Sequence, residues 1–114
     1  MGMQIIALTP DFAVSPQLLA EDFAWVSAQG FKTLINNRPD GEGGPSQPVS
    51  ADLERAAVAA GLHYVYLPVV SGSITAAQVG AMRDALHASA GMTLAFCRSG
   101  ARSAQLFGLT QAPD

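Results

Sequence analysis

The sequence is poor in cysteine, in charge and in long apolar runs, and each shortage excludes a class of protein. Its single cysteine, Cys97, rules out an internal disulfide, a cysteine-based zinc cluster and a second cysteine that would resolve an oxidised one. Lysine and arginine total six against nine acidic residues, so the net charge of -3 predicts no nucleic-acid partner. No run approaches the ~20 apolar residues of a membrane span, and no membrane partner is predicted.

Targeting and metal-binding signals are also missing. Residues 1–8 carry no basic region followed by a long apolar stretch, which predicts a cytoplasmic protein. The histidines, His63 and His87, have no ligand-spaced neighbours, so we expect no metal site and no cofactor. A chain of 114 residues with 49% hydrophobic content is expected to form one compact domain over residues 1–114.

What is present is a helical segment, a glycine and an apolar strand, repeated three times. The helical segments are 20–29, 51–60 and 76–90, the glycines are Gly30, Gly61 and Gly91, and the strands are 31–35, 62–68 and 92–96. Glycine just past a helix end predicts a left-handed cap. The alternation predicts an α/β fold with a small, mostly parallel sheet flanked by helices. Residues 5–9 and 12–15 are predicted to form a hairpin ahead of it.

Two helix starts carry capping signals. Ser50 is a candidate N-cap with Asp52 in the first turn, and Thr75 with Gln78 fits a capping box. Polar loops follow the strands, at 36–48 and at 71–73. Because ligands bind outside the carboxyl ends of parallel strands, we expect both loops to border the loop that carries Cys97.

That third loop is the strongest functional signal in the chain. Cys97 ends an apolar strand, and a helix is expected to begin near Arg102. Free N-H groups at a helix start favour a thiolate and bind anions, while arginine offers a planar fork to an oxyanion. We therefore predict Cys97, Arg102 and Ser103 as catalytic residues, joined by an anion-binding loop of Arg98, Ser99, Gly100 and Ala101.

The spacing within this loop favours one chemistry over another. Four residues separate Cys97 from Arg102, whereas loops of the tyrosine-phosphatase type have five, which would put Ser103 at the arginine position. The string from Cys97 to Ser103 instead resembles the active loop of rhodaneses. Those sulfurtransferases surround the outer sulfur of a cysteine persulfide with a six-residue loop.

The chain as a whole resembles a bacterial family, the phosphatase-like domain of β-lactamase-hydrolase-like proteins. The resemblance rests on residues 34–40 (Leu-Ile-Asn-Asn-Arg-Pro-Asp), on residues 67–70 (Leu-Pro-Val-Val) and on the loop of residues 97–103. It implies a fold like that of dual-specificity and tyrosine phosphatases. It also implies a sulfide-oxidation enzyme as a candidate partner or fusion. It leaves the activity open, because the family name records similarity of fold.

The choice between activities depends on a general acid. A phosphatase usually protonates its leaving oxygen, but residues 71–75, which follow the strand where related phosphatases have an aspartate, contain no carboxylate. Asp40 or Glu42 could supply the acid from the loop at 36–48. Alternatively, Asp40 is an ordinary residue of a solvated turn. Arg38 either adds to the anion pocket or forms a salt bridge at the strand end.

Sulfur transfer needs no strong acid, and we predict a sulfurtransferase. Cys97 would carry sulfur as a persulfide from an anionic small-molecule donor, such as thiosulfate, to a thiol acceptor such as glutathione. Arg98 would recruit these anions. The alternatives are a phosphatase acting through a Cys97 phosphoenzyme, with Asp40 as its acid, and a non-catalytic module of a larger sulfide-oxidation enzyme that binds anions or a persulfide.

Overall fold

Five strands form one mostly parallel sheet in this computed structural model, which describes residues 4–112. The strands are β1 (Ile6–Thr9), β2 (Phe12–Ser15), β3 (Phe31–Asn36), β4 (His63–Tyr66) and β5 (Met92–Phe96). Their spatial order is β1-β2-β5-β3-β4. The β1–β2 hairpin is antiparallel, and every other neighbouring pair is parallel. The predicted α/β class, the mostly parallel sheet and the N-terminal hairpin are confirmed.

Four α-helices cover the two faces of this sheet. They are α1 (Phe23–Ala28), α2 (Ser50–Ala59), α3 (Ala76–Ala88) and α4 (Ala101–Gln111), with short 3-10 turns at Ala20–Asp22 and Gly44–Ser46. Side chains alternate across a strand, so Leu34 packs with α1 and α2 while its neighbour Ile35 packs with α3 and α4. The sheet thus separates two hydrophobic cores. Within the described residues, no helix is long and apolar enough to cross a membrane.

The glycine caps were predicted correctly at two of three positions. Gly30 and Gly61 have positive φ values of 101° and 82°, as a left-handed cap requires, but Gly91 does not. Helix α3 ends at Ala88, and the hydroxyl of Ser89 that follows donates its one proton either to the Thr33 hydroxyl or to the Gly91 carbonyl, which holds the chain against the sheet. The predicted extension of that helix to residue 90 was wrong. The capping box at its start, from Thr75 and Gln78, is confirmed.

The start of α2 differs from the prediction. Ser50 is the first helical residue rather than the N-cap, and its backbone N-H donates to the Oδ1 atom of Asp40 at 2.8 Å. The backbone N-H of Asp40 donates in turn to the Tyr66 hydroxyl, also at 2.8 Å. The carboxylate of Asp40, ten residues earlier in the loop that leads into α2, therefore caps this helix and meets the positive end of its dipole.

Replacing Asp40 tests this cap. We expect Asp40→Ala to lower the free energy of unfolding by about 1 kcal/mol, since a free N-H group of α2 loses its acceptor. Asp40→Asn keeps an oxygen at the same place and should lose less than about 0.5 kcal/mol. Urea unfolding at neutral pH measures both values. Equal losses in the two variants would contradict a capping role.

Candidate active site

Three loops at the carboxyl ends of β3, β4 and β5 enclose one pocket of about 540 Å³. The loop after β3 contributes Arg38, Glu42 and Gly43, and the loop after β4 contributes Ser71. The loop after β5 and the start of α4 contribute Cys97, Arg98, Ser99, Ala101 and Arg102. The first two loops lie beside the Cys97 loop, as parallel topology led us to expect. The pocket therefore combines three separate segments, and the first and the third of them lie more than fifty residues apart in sequence.

The Cys97 loop turns tightly between β5 and α4. The backbone N-H of Gly100 donates to the Cys97 sulfur at 3.1 Å. Gly100 has a φ of 94°, and a Cβ there would lie 3.3 Å from the carbonyl carbon and oxygen of Ser15. Glycine is thus required both by the left-handed backbone and by the close approach to β2. Helix α4 begins at Ala101, one residue before the predicted start.

The surroundings of Cys97 favour its thiolate. Burial raises the pKa of the thiol, but hydrogen bonds from the backbone and hydroxyl of Ser103 and from the backbone amides of Ser99 and Gly100 outweigh it, so the pKa lies below the ordinary value. A thiolate is the nucleophilic form of cysteine. The side chain is reached through the pocket, although the residue is only 1% exposed.

A buried asparagine holds the serine that supports this thiolate. Asn37 accepts a hydrogen bond from the Ser103 hydroxyl at 2.8 Å and donates through Nδ2 to the Leu67 carbonyl at 2.9 Å. The hydroxyl has one proton, so its bonds to Asn37 and to the sulfur are alternatives, whereas the Ser103 amide can serve the sulfur in either case. Asn37 was not predicted as a site residue. It directly follows β3, at the same edge of the sheet as Cys97, and this position could have indicated that it lies near the Cys97 loop.

Arg102 is fixed over the pocket by a carboxylate and a carbonyl. Its Nη1 donates to Oε2 of Glu42 at 2.9 Å and to the Val69 carbonyl at 3.0 Å, and its Nη2 donates to Oε1 of Glu42 at 3.1 Å. The side chain is only 9% exposed. Its Nε atom is buried and has no hydrogen-bond partner among the described residues. One edge of the guanidinium is held by the protein, and the Nε donor remains unused.

Glu42 is shared by two arginines. Its Oε1 also accepts from Nε of Arg38 at 2.9 Å, and Arg38 donates from Nη1 to Gln17 at 3.1 Å. The hydrogen bond from Arg102 lowers the pKa of Glu42; partial burial raises it, and Arg38 lowers it further, so that the net shift is downward. Glu42 is therefore ionised at neutral pH. Arg38 both lines the pocket and forms a strand-end salt bridge, the two roles that the sequence left open.

The two acidic residues of this loop have separate places. Asp40 caps α2 and is not among the residues that line the pocket, whereas Glu42 lies inside it. From the sequence, Glu42 was considered only as a candidate acid, together with Asp40. Its position four residues after Arg38 could have indicated the ion pair that the two side chains form. Gly100 is not among the residues that line the pocket.

In residues 4–112, no group of three or more histidine, cysteine, aspartate or glutamate side chains could hold a metal ion.

Comparison with known proteins relates this chain to one family. The family described as "Beta-lactamase hydrolase-like protein, phosphatase-like domain" matches residues 4–114. A curated β-lactamase hydrolase-like protein of Agrobacterium fabrum is 37% identical over 112 residues, which are 98% of this chain and 26% of the relative. The chain thus spans about a quarter of the length of that relative.

Solved structures show the same fold. A Neisseria meningitidis protein described as a "putative phosphatase" superposes with a TM-score of 0.85 at 32% identity, covering 96% of this chain and 80% of its own. P. aeruginosa TpbA in complex with pTyr gives a TM-score of 0.68 at 18% identity, covering 90% and 58%. The second likeness shows the fold alone. The dual-specificity and tyrosine-phosphatase-like fold is confirmed.

These comparisons contradict the predicted sulfurtransferase. The Neisseria meningitidis structure, at 32% identity, is described as a phosphatase, and this finding favours the alternative of a cysteine-dependent phosphatase. The predicted sulfur transfer depended on the spacing of Cys97 and Arg102 and on the lack of a carboxylate in residues 71–75, both local features of loop sequence. The shorter spacing still places the Arg102 guanidinium beside the Cys97 loop, where Val69 and Glu42 hold it. A carboxylate is also present in the pocket, although residues 71–75 supply none.

The lowered pKa of Cys97 is testable by alkylation. The rate of reaction with iodoacetamide follows the thiolate fraction, so its rise with pH should have a midpoint below the range of an ordinary thiol. Ser103→Ala removes the hydroxyl and should move that midpoint upward, and Cys97→Ser should take up no label. Intact-mass measurement across a pH series gives these rates. A midpoint at or above the ordinary value of about 8.5 would show that burial outweighs the hydrogen bonds.

Proposed function

This chain belongs to the phosphatase-like domain family of β-lactamase hydrolase-like proteins, and on that premise we propose that it is a cysteine-dependent phosphatase acting on phosphate monoesters. One observation carries the proposal: Arg102 lines the same pocket as Cys97, and its buried Nε has no partner among the described residues. An unsatisfied buried donor costs about 1–3 kcal/mol, and more on a charged group. A phosphate oxygen bound at Nε would remove this cost.

The proposed reaction has two displacements at phosphorus. The Cys97 thiolate attacks the phosphorus atom, an S–P bond forms, and the bond to the ester oxygen breaks with its electron pair on that oxygen. Water then attacks the phosphocysteine, the S–P bond breaks, and phosphate and the thiolate are released. Arg102 and the backbone N-H groups of the loop stabilise charge on the non-bridging oxygens in both steps.

Glu42 serves in this scheme by positioning Arg102. It occupies the Nη1 and Nη2 atoms, so Nε is the donor of this guanidinium that has no protein partner, and we propose it as the donor to a substrate oxygen. Because its pKa is lowered, it holds no proton to give at neutral pH. The leaving oxygen must then depart with little help from an acid. We therefore propose aryl phosphates, whose phenolate leaves readily, as better substrates than alkyl phosphates.

The chemistry of Cys97 also bears on the cellular setting. A lone, low-pKa thiol stays reduced most readily in a compartment kept reducing by thiol systems. We propose that the domain acts in the cytoplasm, within which its nucleophile would remain available.

Hydrolysis of an aryl phosphate tests the proposed function. We expect release of phosphate by the wild type, a fall to the background rate in Cys97→Ser, and a loss of at least about 100-fold in kcat/KM in Arg102→Lys, which lacks the planar fork. Release of the phenol under single-turnover conditions, with trapping of a phosphocysteine, measures the first step separately from the later release of phosphate. Equal rates in the wild type and Cys97→Ser would exclude the proposal.

A leaving-group series separates the two roles open to Glu42. If it positions Arg102, Glu42→Gln should lower kcat/KM by about 10-fold for every aryl phosphate, since both arginines lose their shared charge partner. If it donates a proton, the loss should grow as the leaving phenol becomes a weaker acid. Asp40→Asn is the matched control, because it removes a carboxylate of the same loop outside the pocket. Its kcat/KM should stay within about twofold of the wild type.

A further inference from the structure

Arg98 differs from the other two arginines of the pocket in having no partner. Its side chain is exposed at the pocket wall and makes no hydrogen bond or ion pair with any described residue. Arg38 and Arg102, in contrast, share the carboxylate of Glu42. The pocket lining therefore contains three guanidinium groups and one carboxylate, and the cation left unpaired is the one next to the nucleophile in sequence.

The backbone of Arg98 is fixed even though its side chain is not. Its carbonyl accepts a hydrogen bond from the Gln17 backbone at 3.2 Å, and the Gln17 side chain accepts from Arg38 at 3.1 Å. Gln17 thus joins the loop after β5 to the loop after β3. This anchors the root of the Arg98 side chain at the rim of the pocket, beside the place that a phosphate on Cys97 would occupy.

A substrate whose only anionic group is the phosphate that is attacked would leave the guanidinium of Arg98 without an anionic partner. In the proposed phosphatase, Nε of Arg102 and the loop N-H groups bind the phosphate that is attacked. We propose that Arg98 binds a second anionic group of the same substrate, so that the preferred substrate is a phosphate monoester carrying a further phosphate or carboxylate close to the first. This inference rests on the proposed function for its reaction, but the binding that it describes can be measured without turnover.

Protection of Cys97 from alkylation measures that binding. Inorganic phosphate and inorganic pyrophosphate should both slow the reaction of Cys97 with iodoacetamide, with pyrophosphate half-protecting at a concentration about 10-fold lower. In Arg98→Met we expect the value for pyrophosphate to rise roughly 5-fold and that for phosphate to change less than about twofold. Arg98→Lys keeps the charge and should lie between the wild type and Arg98→Met.

A second arginine on the same protein supplies the control. Arg55 lies on α2, is 73% exposed in its side chain and is paired with Asp52, so Arg55→Met removes the same charge away from the pocket. It should leave both half-protecting concentrations unchanged. The proposal is overturned if Arg55→Met acts like Arg98→Met, if Arg98→Met weakens phosphate and pyrophosphate equally, or if pyrophosphate protects the wild type no better than phosphate.

Kinetics with paired substrates distinguishes this inference from the proposed function. An aryl phosphate bearing a carboxylate and its carboxamide analogue should differ in KM, and Arg98→Met should remove that difference. Cys97-dependent hydrolysis without an Arg98-dependent preference would overturn the second-anion site and leave the phosphatase standing. An Arg98-dependent advantage of pyrophosphate without hydrolysis of either ester would do the reverse.

Discussion

The close contact between Gly100 and Ser15 is the constraint on which the site depends. Parallel pairing of β2 with β5 sets Ser15 opposite Phe96, and the chain must then turn over the end of β2 before α4 can begin. A Cβ at Gly100 would meet the Ser15 backbone at 3.3 Å. The left-handed turn that glycine permits directs loop amides toward the Cys97 sulfur. The thiolate is thus stabilised by backbone geometry that the sheet itself imposes.

Electrostatic balance is the second requirement, because the pocket is lined by three arginines and one carboxylate and so concentrates positive charge. Arg38, in the loop after β3, and Arg102, in the first turn of α4, are brought together by a single carboxylate, Glu42. Fixing a guanidinium in advance reduces the cost of ordering it when substrate binds. The same pairing keeps Glu42 ionised, so the feature that positions Arg102 also removes the carboxylate as an acid. Positioning and proton donation are therefore alternatives at this residue.

Much of the fold could be predicted because its signals are local. Apolar strands, glycines after helices and the Thr75–Gln78 capping box all lie within a few neighbouring residues, and the sheet follows from their alternation. The end of α3 could not be predicted, since it depends on a hydrogen bond from Ser89 to Thr33, 56 residues away. The cap of α2 failed for the same reason, because Asp40 is brought to Ser50 by the loop after β3.

The candidate site shows the same difference between local features, which could be predicted, and long-range contacts, which could not. Cys97 and Arg102 are neighbours in one loop, and residue type and spacing were enough to place them together. The contacts of Glu42 with Arg102 and of Asn37 with Ser103 span 60 and 66 residues. Neither contact could be predicted from the sequence of the Cys97 loop. Spacing within the loop predicted a sulfur-binding cradle, whereas the pocket around Cys97 is completed by groups from the loops after β3 and β4. A candidate nucleophile can be recognised from a short motif, but the side chains around it come from separate loops that only the fold brings together.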